Sequence, residues 1–174
     1  RAREAMLRFS PEAMAEARSL LNRALQIDPR FAVAYAVLAM AHAAEYVNGY
    51  NQVGPEHLEK GRAFAYQALE LDPGESWAHQ AMAMNNLWRK NHDAAEAAAR
   101  RAIAAAPNYV GGYIALGQVL DFTGRHAAAI EEFEHALRLD PGFDMTLHLI
   151  GRAQLGLGRH AEAERSFKER LYNG

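Results

Sequence analysis

Four prolines divide this chain at related positions, in the steps Asp28-Pro29, Asp72-Pro73, Ala106-Pro107 and Asp140-Pro141. The last three prolines are 34 residues apart. Self-similarity at this period is typical of helical repeat arrays, in which each repeat buries its apolar face against its neighbours. The spacing therefore predicts an all-α solenoid built from antiparallel helix pairs.

The composition of the chain argues against several kinds of partner and binding site. The chain has 174 residues, of which 50% are hydrophobic, a net charge of −2 and no cysteine. It lacks the basic excess typical of a phosphate-binding domain, and the absence of cysteine excludes disulfides and thiolate metal sites. No apolar run approaches the roughly 18–20 residues that span a bilayer, and no signal peptide is visible. We expect a cytoplasmic location, with neither nucleic acid nor membrane bound through this array.

The ends of the chain indicate a fragment of a longer protein. It begins at Arg1 without a methionine, and Asn173-Gly174 follow directly on a helix-like run. We predict one repeat array over residues 1–174. Its units are approximately 1–29, 30–73, 74–107, 108–141 and 142–174.

The unit between Pro107 and Pro141 has the clearest pattern. Apolar residues three or four apart predict a first helix over Val110–Asp121 and a second over His126–Leu139. Thr123-Gly124 between them is a turn, because glycine supplies the left-handed conformation that ends a helix. Small residues recur 34 apart at two places in the repeat, where helix backbones can approach closely. These are Ala83, Gly117 and Gly151 on first helices, and Ala95, Ala129 and Ala163 on second helices.

Two units depart from the period. Pro29 and Pro73 are 44 residues apart, so the second unit carries ten additional residues, which we place around 45–55. Asn48-Gly49 in that segment is a loop signal. The first unit is incomplete, and Ser10-Pro11 predicts the start of its second helix, with serine as the N-cap and proline at the first helical position.

The pattern resembles the tetratricopeptide repeat, whose consensus has Leu-Gly on the first helix, Ala, Phe and Ala on the second, and a final Pro. The matching residues, in order, are Tyr113, Leu116, Gly117, Ala129, Phe133, Ala136 and Pro141. Leu120 replaces the tyrosine expected later on the first helix. The resemblance covers nearly the whole chain. It implies a right-handed superhelix that serves protein–protein interaction.

The first two units are also similar to a narrower group. They resemble the repeat domains that follow class III adenylate or guanylate cyclase domains in bacteria, and those behind winged-helix regulators. The matching residues are Phe9, Ser10, Pro11, Glu12, Ala17, Leu21, Ala24, Asp28, Pro29, Phe31, Ala34, Tyr35, Leu38 and Ala39. This resemblance implies the regulatory part of a bacterial signalling protein.

First helices line the concave side of such a superhelix, and their facing positions predict a partner-binding groove. The predicted groove residues are Met40, Trp77, Gln80, Met84, Ile114, Gln118, Asp121, His148 and Arg152. The groove is apolar and methionine-rich at its N-terminal end and polar at the other. Methionine adapts to varied surfaces, which suits an amphipathic helix or an extended apolar peptide. We expect Arg152 and His148 to pair with an acidic group of the partner, and Trp77 with Met84 to seat an apolar side chain.

Some tetratricopeptide proteins clamp a terminal carboxylate with Lys and Asn. The corresponding positions here carry Ala36, Met40, Gln80 and Met84. Binding of chaperone C-terminal tails is therefore not expected.

The sequence offers no catalytic constellation, and we predict neither an enzyme nor a cofactor. No phosphate-binding loop is present, and no histidine pair with a carboxylate at ligand spacing is apparent. His92, His126 and His160 are 34 apart and begin successive second helices. One ion cannot reach all three, so we predict no metal site.

Three functions remain open. The leading one is a non-catalytic module that binds a peptide or a partner protein. The second is a regulatory or sensory domain of a nucleotide cyclase. The third is self-assembly into homo-oligomers through exposed apolar ends of the array.

Overall fold

The computed structural model describes residues 10–49 and 54–173. These two segments are all α-helical, as predicted, and contain nine helices. The helices are α1 (Pro11–Ile27), α2 (Ala32–Val47), α3 (Glu56–Leu71), α4 (Ser76–Trp88), α5 (His92–Ala105), α6 (Val110–Phe122), α7 (His126–Leu139), α8 (Met145–Gly156) and α9 (His160–Asn173). Residues 2–9, which the sequence pattern predicts to be the end of a first helix, lie outside the described residues.

The helices pack as a layered array. Each first helix contacts the second helix of its own unit, giving the pairs α2–α3, α4–α5, α6–α7 and α8–α9. First helices also contact one another along the array, from α2 to α4 to α6 to α8. No comparable contact joins neighbouring second helices among the described residues. First helices therefore form the crowded inner wall of an α-solenoid, and second helices are spread over its outer side.

The proline steps end the helices as predicted. Asp28, Asp72 and Asp140 are C-caps in an extended or similar conformation, and each backbone N–H bonds back to the helix. Each aspartate Oδ1 also accepts a hydrogen bond from the backbone N–H two residues later, at 2.9 to 3.1 Å. An aspartate before proline thus closes the helix and starts the turn to the next unit.

On each of three first helices, one side chain donates a hydrogen bond to the backbone carbonyl of the proline that precedes the helix. The hydroxyl of Tyr35 donates to the carbonyl of Pro29 at 3.2 Å, and the hydroxyl of Tyr113 donates to Pro107 at 2.9 Å. His79 makes the corresponding bond from Nε2 to Pro73, at 2.9 Å. This bond is a physical reason for the tyrosine at this position of the repeat, and imidazole can replace it.

Two of the small residues on first helices, Gly117 and Gly151, receive a ring from the second helix of the same unit. A Cβ added at Gly117 would collide with the ring of the fully buried Phe133. At Gly151 it would lie 2.6 Å from the ring of Phe167. The predicted close approach therefore takes the form of an aromatic ring seated directly on a glycine.

Ser10 caps α1 as predicted, because its side chain accepts a hydrogen bond from the backbone N–H of Ala13 at 3.2 Å. The enlarged second unit differs from the prediction in detail. Helix α2 continues to Val47, three residues into the segment expected to be loop, and Gly49 then adopts a φ of 64°. The additional residues are partly absorbed by longer helices, since α2 and α3 have 16 residues each and α4 has 13.

Candidate functional site: the inner wall of the solenoid

Four side chains in equivalent positions follow one another along the inner wall. Met40, Met84, Gln118 and Arg152 come from α2, α4, α6 and α8 respectively, and each is half-buried. We call these four residues the groove row. Its first half is apolar, with Met40 and Met84 resting on the main hydrophobic core. Its second half presents the amide of Gln118 and the guanidinium of Arg152, so the row changes from apolar to polar side chains.

The other predicted groove residues on α4 and α6 are less accessible to a partner than the groove row. Gln80 is buried, and its Oε1 accepts a hydrogen bond from the hydroxyl of Tyr109. Trp77 packs against the same tyrosine, with ring centroids 5.1 Å apart, and against the core between the second and third units. Ile114 is half-buried on the main core. Three predicted groove residues, Trp77, Gln80 and Ile114, therefore have extensive contacts within the chain.

His148 lies on α8 beside Phe167, with ring centroids 5.5 Å apart. Burial is the main cause that lowers the pKa of His148, and the nearby cations Arg170 and Arg152 lower it further. Its imidazole is therefore held toward the neutral form. This reduces its predicted ability to pair with an acidic partner group as a cation.

Arg152, which the sequence assigned to an acidic partner group, is already paired within the chain. Its Nε donates to Oδ2 of the buried Asp121 at 2.8 Å, and its guanidinium lies 5.0 Å from the ring centroid of Phe122. The other oxygen of Asp121 accepts a hydrogen bond from Nδ1 of His126 at 2.7 Å. Phe122 in turn meets Trp88 edge-on, with centroids 5.3 Å apart. The polar side chains at this end of the groove are thus already bonded to other residues of the chain when no partner is bound.

The structure also brings together three side chains that the sequence analysis did not connect. Among the residues described, His42, Glu45 and His57 each place one potential metal-ligand atom within 4.8 Å of the others. His42 and Glu45 are one helical turn apart on α2, whereas His57 follows the enlarged connection on α3. The three-residue spacing of His42 and Glu45 is visible in the sequence. The position of His57 beside them depends on how α3 folds back against α2. Of the three histidines that begin successive second helices, His92 and His160 are exposed and His126 is half-buried against Asp121.

The fold, its repeat spacing and its inner wall define the chain as a helical repeat protein. Residues 110–143, one unit of the array, match the family model described as Tetratricopeptide repeat. Two solved structures show the same fold over 99% of this chain. They are a thermophilic TPR protein of Thermus thermophilus, with a TM-score of 0.79, 17% identity and 89% of its chain covered, and Pseudomonas aeruginosa pilF, with 0.68, 19% and 74%.

A MamA protein structure is 26% identical, with a TM-score of 0.60 over 92% of this chain and 82% of that chain. Among curated proteins, "Putative adenylate cyclase 3" of Rhizobium meliloti (strain 1021) is 42% identical over 96 residues. The matched part is 55% of this chain and 16% of that relative's length. This likeness agrees with the predicted resemblance to cyclase-associated repeats.

Within residues 10–49 and 54–173, no helix is both long and apolar enough to cross a membrane. The tetratricopeptide fold supports a role in protein–protein interaction, and the fold is typically non-catalytic.

Proposed function

We propose that the chain is a protein-interaction module whose inner wall binds an amphipathic helix or an extended apolar peptide. The groove row carries this proposal, because each first helix contributes one half-buried side chain to it. The partner would place apolar side chains on Met40 and Met84. Methionine adapts its shape to different apolar groups, so this end favours a hydrophobic surface without requiring one sequence.

The dimensions of the row limit the partner. Neighbouring helices pack about 8–10 Å apart, so four first helices give a wall of about 30 Å. An extended peptide of about nine residues covers that length, as does a helix of about 20 residues. A segment of this size could belong to another protein or to a different part of the parent protein.

The polar end of the row would recognise the partner by hydrogen bonding. Gln118 offers an amide that both donates and accepts. Arg152 uses Nε for Asp121, while 37% of its side chain remains exposed. We therefore assign Arg152 to a backbone carbonyl or a carboxylate of the partner that docks while the pair with Asp121 stays intact.

The test is selection of binders from a peptide library displayed on phage, followed by affinity measurement with fluorescently labelled peptides. Gln118→Arg places a long cation in the middle of the row, and should weaken the selected peptides about tenfold or more, equivalent to about 1.4 kcal/mol. Gln67→Arg is the matched control, because Gln67 is exposed on the second helix α3. It should leave affinity unchanged.

Equal affinity of both variants for the selected peptides would show that the groove row is not the binding surface. Sedimentation velocity on the same proteins separates peptide binding from self-association, which remains a second mode of interaction. A dimer unaffected by Gln118→Arg, combined with no selected peptide, would favour assembly through other surfaces. Leu155, Leu157 and Leu171 are exposed apolar residues toward the C-terminal end and would be the first candidates.

A regulatory role in a cyclase-like protein is the second candidate, and the likeness to the putative adenylate cyclase over 96 residues favours it. The array would then transmit binding of a partner to nucleotide cyclisation by another part of the parent. Comparison of cyclic-nucleotide formation by the full-length parent protein and its Gln118→Arg variant tests this. A partner-dependent change in the wild type that the variant lacks would support regulation, and identical responses would contradict it.

A further inference from the structure

His42, Glu45 and His57 form a group outside the groove row, where the enlarged connection leaves α2 and meets α3. Their potential ligand atoms lie within 4.8 Å of one another, and the His42 and His57 ring centroids are 5.1 Å apart. His42 and Glu45 are buried, and the His57 side chain is 14% exposed. The group is therefore shielded from bulk water, unlike the exposed histidines that begin α5 and α9.

Each member of this group has a buried polar atom without a hydrogen-bond partner. These atoms are His42 Nδ1, Glu45 Oε1 and His57 Nδ1. Buried polar atoms are normally paired, because an unsatisfied one loses its hydration without compensation. Each of these three neighbouring side chains therefore has unused capacity to bind a ligand.

We propose that His42, Glu45 and His57 bind one divalent transition-metal ion of the zinc type. Two imidazoles and one carboxylate are a known donor combination for zinc, whereas magnesium and calcium require mainly oxygen ligands. Metal–ligand distances of about 2.0–2.2 Å hold tetrahedral ligands about 3.4 Å apart. Binding therefore draws the three side chains together by about 1 Å, a change that rotation of side chains at the two helix ends can supply.

Arg18 of α1 complements this arrangement. Its Nη1 donates to Oε2 of Glu45 at 3.2 Å, and Oε1 of the same carboxylate has no hydrogen-bond partner. The oxygen Oε2 also lies 3.6 Å from Nε2 of His57. Arg18 therefore orients the carboxylate beside that imidazole, as an outer hydrogen bond orients a metal ligand.

An open cavity borders His42, one member of the group. It has a volume of about 500 Å³ and lies between α1 and α2. Its lining residues are Ala15, Arg18, Ser19, Asn22, Arg23, Gln26 and His42. A metal held by three protein ligands keeps a position for water or an external ligand, and this cavity is the route by which one would arrive.

The ligand set coincides with the enlarged unit. In the next unit the corresponding positions carry Asn86, Arg89 and Asn91, none of which is a usual zinc ligand. The metal would join the end of α2 to the start of α3, on either side of the additional residues. It would therefore stabilise the one unit whose helix connection is too long to be held by a short turn.

The test uses the chain without a histidine tag, treated with EDTA and dialysed, and the metals alone as probes. Competition with a chromogenic zinc chelator should give one Zn²⁺ per chain, not displaced by excess Mg²⁺. Co²⁺ should produce the intense visible absorption of a tetrahedral site. His57→Gln and Glu45→Gln should each weaken zinc binding by at least about tenfold.

His160→Gln is the matched control, since His160 is an exposed histidine at a helix start, and it should bind zinc like the wild type. Circular dichroism of the metal-free variants confirms that they are folded. Zinc should raise the melting temperature of the wild type but not of His57→Gln. The proposal is overturned if zinc does not bind with a Kd below about 0.1 mM, or if both ligand variants bind it as tightly as the wild type.

Discussion

Arg152 on α8 donates a hydrogen bond from Nε to Oδ2 of Asp121 on α6, across the boundary between two repeat units, at 2.8 Å. Asp121 also accepts a bond from His126 at the start of α7, so its one carboxylate joins three helices. The Asp121 side chain is only 7% exposed. A carboxylate this buried needs its partners, because an unpaired charge in such a place is costly. The network therefore holds α6, α7 and α8 together.

Asp121→Asn should lower the free energy of unfolding by about 2 kcal/mol, since hydrogen bonds to charged groups contribute about 1.5–3 kcal/mol. Urea denaturation at pH 7 measures the change. Glu162→Gln is the control, because Glu162 forms a surface pair with Arg159 at 3.8 Å, and it should change stability by less than about 0.5 kcal/mol. Equal effects of the two substitutions would mean that the network contributes no more than a surface ion pair.

Gly117→Ala should destabilise the protein by about 1–3 kcal/mol, because the added methyl group collides with the fully buried Phe133 ring. The sign is diagnostic, since glycine to alanine in an unobstructed helix stabilises by up to about 1 kcal/mol. Thermal and urea unfolding check it. Gly142→Ala is the control, because its Cβ would lie at an ordinary 3.4 Å from Asp140 Oδ1. A stabilised Gly117→Ala would contradict the observed ring-on-glycine contact.

Glu96 gives a pH-dependent contribution to stability. Hydrogen bonds from Arg125 and then Arg100 lower its pKa, so the folded state favours the carboxylate. A lowered folded pKa means that stability is present above the unfolded value of about 4.3 and is lost as the pH falls through the folded value. Glu96→Gln should be less stable than the wild type at pH 7 by at most about 1 kcal/mol, because both arginines are largely exposed.

The difference between Glu96→Gln and the wild type should shrink steadily as the pH is lowered from 5 toward 2. Urea denaturation at a series of pH values measures it. A difference that stays constant over this range would show that packing, rather than the charge of Glu96, causes the effect.

His148 should titrate below about 6.5, the usual value for histidine, because burial and then Arg170 and Arg152 lower its pKa. The folded state favours the neutral imidazole, so this contribution is present above about 6.5 and is lost as the pH falls toward the folded value. Two-dimensional NMR of the imidazole C–H groups measures the midpoint. The wild type should lose more stability than His148→Gln between pH 7 and 5, and parallel loss in both would contradict the assignment.

Much of the fold follows from local sequence chemistry. Ser10 before a proline predicted the start of α1, and Gly124 predicted a turn, where it adopts the positive φ that glycine tolerates. The aspartate before proline at three boundaries closes a helix with its own backbone and side chain. These features depend on residues within about four positions of each other, so the sequence alone contains the information.

The contacts that form the candidate sites join residues far apart in the sequence. The pairing of Arg152 with Asp121, and of Tyr109 with Gln80, joins residues 31 and 29 positions apart, in different units. Spacing predicted which side of the first helices faces the groove, but not which polar groups there already satisfy one another. Arg152 therefore looked available to a partner in the sequence and is hydrogen-bonded within the folded chain.

The sequence by itself determined the repeat period, the helix boundaries of the regular unit between Pro107 and Pro141 to within one residue, and the small residues on which the layers pack. A repeated unit specifies the same local contacts each time. Only the tertiary structure shows that His57 lies beside His42 and Glu45. That arrangement depends on how α3 returns to α2 after ten residues that follow no period. Contacts between distant residues are set by the three-dimensional path of the chain, and a departure from the repeat removes the rule that would have predicted it.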